Sequence, residues 1–375
     1  MPQDSSTETS LVPGELDIPP LKRLPALLTR EGFVDAFTIY GIYNSRFQYW
    51  ARDLPLLPWR LQILFRVFLL GESVPVDALQ AILPAADIEA FERLSIFHRD
   101  GNCVHCGHLV AIPINGYLIF TNRPTVDPIV YFGEDSAALA AHLSPPRGGD
   151  FLDLCSGPGV QALLISSHAR RVVAVEINPA AAAFAHLNIV MNDAEQRIEV
   201  RTGDLYEAVR GIDFDFVVAN PPLLPFPQDL PYPFVGHGGS DGLAITRRII
   251  HGLPSALRPG GYCQIIGTCL GDASGPACET ELTETARDLD LNIVMVVPSA
   301  QPLLPGSSMF DGMAWSCATA SSRPLEEIRS RFEQHLLSLG TGHLYLFFLS
   351  ISRAEGNSEF SMTRHYRQHC GFWFV

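Results

Sequence analysis

Phe151-Leu-Asp-Leu-Cys-Ser-Gly-Pro-Gly-Val-Gln-Ala-Leu-Leu164 is the stretch whose reading decides the fold. Phe151–Leu154 is a short apolar strand, and Val160–Ser167 begins a helix. Between them Gly157 and Gly159 allow a sharp turn and let a ligand approach the backbone closely, with no side chain in the way. Working outward, strands and helices alternate. Val172–Glu176, Ile198–Thr202, Phe214–Ala219, Tyr262–Thr268, Leu291–Val297 and His343–Ser352 read as strands; Pro179–Asn192, Leu243–Ala256, Thr280–Leu289 and Leu325–Leu339 read as helices. Such alternation specifies a parallel sheet covered on both faces. The helix before the last strand leaves room for a reversal, so the last two strands are expected to pair antiparallel.

Charged residues fall at the strand ends, where α/β sheets bind ligands. Glu176 closes the second strand about twenty residues beyond the glycine loop, a position from which a carboxylate accepts hydrogen bonds from both ribose hydroxyls. Gly203-Asp204 follows the third strand, where an acidic residue can meet an adenine amino group. Asp153, ahead of the glycines, and these downstream residues separate the pattern from a dinucleotide fingerprint. Asn220-Pro-Pro-Leu223 closes the fourth strand. Its prolines fix the backbone, so that the Asn220 side chain and the Pro221 carbonyl offer two acceptors to one spot. A planar amino or amide nitrogen held there is activated by orientation more than by proton abstraction.

Taken together, Asp153–Gly159, Val175-Glu-Ile-Asn178, Asn188, Asn192, Gly203-Asp204-Leu205, Asn220–Pro222 and His237-Gly-Gly-Ser-Asp-Gly-Leu243 resemble the HemK family of protein glutamine N-methyltransferases. The resemblance covers residues 130 to 352. It implies a Rossmann-like, seven-stranded methyltransferase sheet, S-adenosylmethionine as cofactor, and an acceptor nitrogen bound by Asn220, Pro221 and Pro222. Leu223 stands where the family carries Tyr or Phe, and Phe226 is the nearby candidate to supply a ring. The expected cofactor contacts are Tyr131, Asp153, Cys155, Ser156, Gly157, Gly159, Glu176, Ile177, Asp204, Leu205 and Asn220. His237 reads either as a base near the crevice or as a helix-cap residue, and Ser136 as a helix cap.

Four regions are expected: a flexible arm over 1–28, a helical, winged-helix-like domain over 29–122, the methyltransferase domain over 123–355, and a tail over 356–375. Asn115-Gly116 between Leu109–Ile114 and Tyr117–Thr121 is a strong hairpin signal. The aromatics Tyr40-Gly-Ile-Tyr43-Asn44 and Tyr49-Trp50 read as core or as a lid. Pro305–Gly312 reads as a loop that could border the acceptor site, and Phe372–Val375 as an apolar end that docks back. Cys103-Val-His-Cys106-Gly-His108 has ligand-like residues but no second pair nearby, so no metal is expected.

A formal net charge of −14 over 375 residues offers little long-range attraction for phosphate, so a nucleic-acid substrate is not expected. No apolar run reaches the roughly 18–20 residues of a bilayer span, the start lacks a signal-peptide pattern, and eight scattered cysteines fit a reducing compartment. A cytoplasmic location follows. The acceptor expected from charge and from Leu223 is nitrogen on a small molecule, of the kind handled in specialised metabolism. The alternatives are protein glutamine methylation, with a peptide or protein partner, and a non-methylating use of the cofactor, cyclisation or aminocarboxypropyl transfer.

Overall fold

The structure is a computed structural model and describes residues 11–40, 48–125, 127–365 and 372–373, the side chains of 40 and 48–50 excepted. The aromatic cluster at residues 40–50 lies outside the described side chains.

The main sheet contains β1 (Asp150–Leu154), β2 (Arg171–Glu176), β3 (Ile198–Thr202), β4 (Phe214–Ala219), β5 (Leu257–Asp272), β6 (Leu291–Pro302), β7 (His343–Arg353) and β8 (Glu359–Arg364). Their order is β8-β6-β7-β5-β4-β1-β2-β3, and a two-residue strand, Gly275–Pro276, pairs with β5. The first five strands run parallel, while β7 lies antiparallel between β5 and β6. The seven expected strands are all present, and the last two pair antiparallel as their spacing suggests. β1 is buried along its whole length, which fits a strand covered on both faces.

The helices of this unit are α1 (Glu134–His142), α2 (Val160–Ser166), α3 (Pro179–Met191), α4 (Ala244–Ala256), α5 (Glu279–Asp288), α6 (Ser308–Ser321) and α7 (Leu325–Ser338). One core joins α2 and α3 to one sheet face and to the N-terminal region; a second joins α4 and α5 to the other face. The chain leaves β1 toward β2 on one side and β4 toward β5 on the other. The crevice between β1 and β4 is therefore the switch point where such sheets bind ligands. Leu154 is level with Val175 and Ala219, so the residues that follow these strands emerge along one edge.

Several sequence expectations need correction. Residues 18–28, expected within a flexible arm, belong to a helix, Ile18–Arg30, that buries Leu21, Leu24, Leu27 and Leu28. The leucines recur at helical spacing, and of the prolines Pro19 and Pro20 fall in the first turn, where they are tolerated. Lys22, the chain's lysine, pairs with Asp193 and Glu195 just beyond α3. Residues 359–364, expected in a tail, form β8 parallel to β6. Pro305–Gly312 is not all loop: Ser307 caps α6, accepting from the Phe310 N–H. Ser136 is not a cap, since α1 is preceded by Gly133.

In the N-terminal region, helices Trp59–Phe65, Val76–Gln80 and Ala85–Arg93 accompany a small antiparallel sheet of Val74–Pro75, Cys103–His105 and His98–Asp100. The Leu109–Ile114/Tyr117–Asn122 hairpin is separate from it, turning at Asn115 and Gly116, both at positive φ. It pairs with α3 instead. Asn188 Oδ1 accepts from the Phe120 N–H at 2.7 Å and its Nδ2 donates to Phe120 O at 2.9 Å. Asn192, one turn later, does the same for Leu118. Two amides four residues apart thus stand in for a strand and satisfy an open sheet edge. Cys106 is buried and Cys103 half-buried, and among the described residues no group of three or more His, Cys, Asp or Glu converges to hold a metal. No helix among them is long and apolar enough to cross a membrane.

Candidate functional site

A cavity of about 490 Å³ opens at the switch point. One half is built from the turns after β1, β2 and β3. Cys155, Ser156 and Gly157 line it, with Glu176 and Ile177, and with Asp204 and Leu205. Cys155 (φ 58°) and Leu205 (φ 47°) adopt the left-handed region, which costs a non-glycine residue about 1–3 kcal/mol and clusters at ligand sites. Gly157 is also left-handed (φ 51°), and a Cβ there would meet open space. The Glu176 carboxylate accepts from the Gly157 N–H at 2.8 Å and the Asn178 N–H at 2.9 Å. It stays buried yet keeps lone pairs for a ligand. Asp204 accepts from Arg248 at 2.8 Å, so a guanidinium joins this half.

Two expected contacts are not in the wall. Asp153 is fully buried beneath the loop, where its Oδ2 accepts from Ser156 Oγ at 2.7 Å and from the Ala162 N–H at 3.0 Å. It ties the turn to the first turn of α2 rather than facing a ligand, and burial pushes its carboxyl up to about 7. Gly159 (φ 82°) faces α3, where a Cβ would lie 3.3 Å from Ala185; it serves helix packing. Both lie in the motif, but a motif does not reveal which way each residue points.

The other half gathers distant segments. Asn220, Pro221, Pro222 and Leu223 line it after β4, together with Tyr131, Tyr232, Phe234, His237, Ser316 and Trp373. Asn220 Nδ2 donates to Asp135 Oδ2 at 2.9 Å and to Ser136 Oγ at 3.1 Å, while its Oδ1 is buried without a protein partner. Burial raises the Asp135 carboxyl above its ordinary range, a shift that the bond from Asn220 opposes. Tyr131 folds over Gly133, where an added Cβ would meet its hydroxyl at 1.8 Å.

The glycine-rich stretch after His237 holds this loop from behind. A Cβ on Gly238 would lie 2.7 Å from the Leu223 carbonyl carbon, and one on Gly242 would lie 2.7 Å from Leu223 O. Gly238 N–H donates to Leu224 O, and Leu224 N–H to Gly236 O, each at 2.9 Å. His237 Nδ1 accepts from the Gly239 N–H within its own turn, several residues ahead of α4, and the residue also lines the cavity. Phe226 does not supply a ring to the cavity: it is fully buried between Tyr232 and Phe332, at 4.7 and 4.6 Å. The rings present instead are Tyr131, Tyr232, Phe234 and Trp373. Phe372 and Trp373 pack half-buried on the protein, as their apolar character suggests. Asp135 and Trp373 had no readable spacing to the motifs; Asp135 is legible only as an acidic residue in the first turn of α1.

The family model "Methyltransferase small domain" matches residues 119–270. A putative protein N5-glutamine methyltransferase of Methanocaldococcus jannaschii is 34% identical over 142 residues, which is 36% of this chain and 71% of that protein. A release factor glutamine methyltransferase of Mycolicibacterium smegmatis is 33% identical over 39% of this chain and 53% of its own. A ribosomal protein uL3 glutamine methyltransferase of Bradyrhizobium diazoefficiens is 32% identical over 36% of this chain and 46% of its own. The chain thus spans about half the length of the latter two. With the strand order, the switch-point cavity and the Asn–Pro–Pro loop, these relationships establish that the chain belongs to the HemK family of S-adenosylmethionine-dependent class I methyltransferases.

Proposed function

We propose that the protein methylates the side-chain amide nitrogen of a glutamine in a protein substrate. The observation that carries this reading is the Asn220 amide, whose nitrogen is held by Asp135 and Ser136 and whose buried oxygen is bare. An amide N–H is a donor that such an oxygen takes. The relatives named above act on glutamine, which favours this acceptor over the small-molecule nitrogen expected from charge and Leu223.

S-Adenosylmethionine fits the first half of the cavity. Gly157 offers backbone with no side chain toward the space, and Glu176 has acceptor capacity left for the ribose. Asp204 and Arg248 would border the base, and Tyr131 the methionine end. When bound, the cofactor supplies an electrophilic methyl group. The chain's own part is to orient the acceptor: Asn220 Oδ1 and the Pro221 carbonyl hold its hydrogens, and the surrounding rings and prolines exclude water. The exposed Phe234 and half-exposed Tyr131 at the wall give a protein segment apolar surface to meet.

The test is incubation with methyl-labelled S-adenosylmethionine and protein fractions of the host cell, followed by peptide mass spectrometry. One added methyl group on a glutamine side chain is expected, with S-adenosylhomocysteine released. Label confined to small molecules would restore the first expectation. A cyclised or aminocarboxypropyl product would show that the acceptor loop serves a different reaction.

A further inference from the structure

Three side chains meet behind the acceptor loop: Asn220 Nδ2 lies 2.9 Å from Asp135 Oδ2 and 3.1 Å from Ser136 Oγ. Asp135 and Ser136 are both buried in the first turn of α1. An amide is nearly symmetric in shape, so packing alone does not decide which end faces the cavity. Chemistry does. Asp135 Oδ2 accepts from Asn220 Nδ2 at 2.9 Å, so the amide turns its nitrogen to Asp135 and its oxygen away from it. The oxygen that remains is the buried atom with no protein partner.

We propose that Asp135 is a positioning residue for methyl transfer: its carboxylate fixes the Asn220 amide with the oxygen toward the acceptor, so the site selects a nitrogen that donates a hydrogen. The inference rests on the reading that Asn220 receives the acceptor. Gly133 supports the arrangement, since any larger residue would expel the Tyr131 hydroxyl that faces Asp135. Ser136 Oγ gives Asn220 a second, neutral partner that can either accept or donate, so the sense of the amide is set by Asp135.

Asp135→Ala and Asp135→Asn, made in the full chain, separate orientation from other roles. Asp135→Ala should lower kcat about tenfold or more, the scale of a misplaced reacting group, with acceptor KM and cofactor Kd little changed. Asp135→Asn keeps a carbonyl able to accept from the same Nδ2, so it should recover most of the activity. Adding Asp135→Ala to Asn220→Ala should cost nothing further, because the two act as a unit. Full kcat in Asp135→Ala, equal loss in Asp135→Asn, or additive losses in the double variant would overturn the proposal. A readout without any acceptor keeps the two readings apart. In protein labelled with 15N-asparagine, the Asn220 side-chain amide signals, assigned by their loss in Asn220→Ala, should shift in Asp135→Ala. Signals that stay in place overturn the positioning role even if glutamine is methylated. Shifted signals with no methylated glutamine overturn the acceptor reading alone.

Discussion

The two halves of the cavity are built in opposite ways. The cofactor half consists of three short turns, each at the end of a neighbouring parallel strand, and each named by its own local sequence. The acceptor half draws on residues 131–136, 220–224, 232–237, 316 and 373, which only the tertiary fold brings together. Each half hides an aspartate behind its loop. Asp153 ties the glycine turn to α2, and Asp135 holds Asn220. A turn whose geometry is set by its own residues can serve one cofactor throughout a family. A wall assembled from remote segments can be altered piece by piece.

The largest effect that tests this division is expected at Asn220. Asn220→Ala should lower kcat by about a hundredfold, the scale of misplacing a reacting group by about 1 Å, while calorimetry finds cofactor affinity close to wild type. Glu176→Ala should do the reverse at the binding step. It removes an acceptor of charge-assisted hydrogen bonds, each worth about 1.5–3 kcal/mol, so cofactor Kd should rise tenfold or more. If Asn220→Ala weakens cofactor binding as much as Glu176→Ala does, the two halves are not separable, and the acceptor loop also belongs to the cofactor site.

Asn188 tests whether the N-terminal region and the cofactor half are one mechanical unit. Its Nδ2 donates to Phe120 O at 2.9 Å and to Pro158 O at 2.8 Å, bridging the hairpin and the glycine turn. Asn188→Ala leaves the buried Phe120 N–H and carbonyl without these partners, at about 1–3 kcal/mol per unsatisfied group. Denaturant unfolding should show that loss, and cofactor affinity should fall with it, because Pro158 lies within the turn. A stability loss with unchanged affinity would make the hairpin a passive addition to the cofactor half.

How much of this was legible follows from the same contrast. The strands at Phe151, Val172 and Phe214 are readable because buried parallel strands are near-continuous apolar runs, and the turns because glycines and Asn-Pro-Pro constrain the backbone within a few residues. Side-chain direction is not readable from a motif: the glycine loop puts Asp153 and Gly159 at the ligand, yet one pins the loop and the other packs on Ala185. The glycines after His237 were visible as a motif, but their purpose, close approach to Leu223, needed the fold. Phe226 is close in sequence to Leu223, yet Phe332, about a hundred residues away, claims its ring. The Ile18–Arg30 helix was hidden by its prolines, and β8 by its polar, half-exposed composition at a sheet edge.

The prediction at Asp153 concerns stability and carries a sign. In the folded protein burial pushes its carboxyl up to about 7, against an ordinary 3.8. Between these values the native state keeps a proton that the unfolded chain releases. Stability therefore falls as pH rises through this window, by up to about 1.4 kcal/mol per pH unit for one proton. Above about 7 both states are ionised and the dependence levels off, with the carboxylate held in place at a cost. Asparagine cannot ionise, yet its carbonyl can accept from both Ser156 Oγ and the Ala162 N–H. The stability of Asp153→Asn relative to wild type should thus climb from about pH 4 to about pH 7 and then stay level. Urea unfolding of both proteins across that range measures the difference directly. A relative stability that is flat or declines with pH would mean that the wild-type carboxylate is ionised and well solvated by its donors. Asp153 would then contribute charge to the cofactor half as well as pinning its loop.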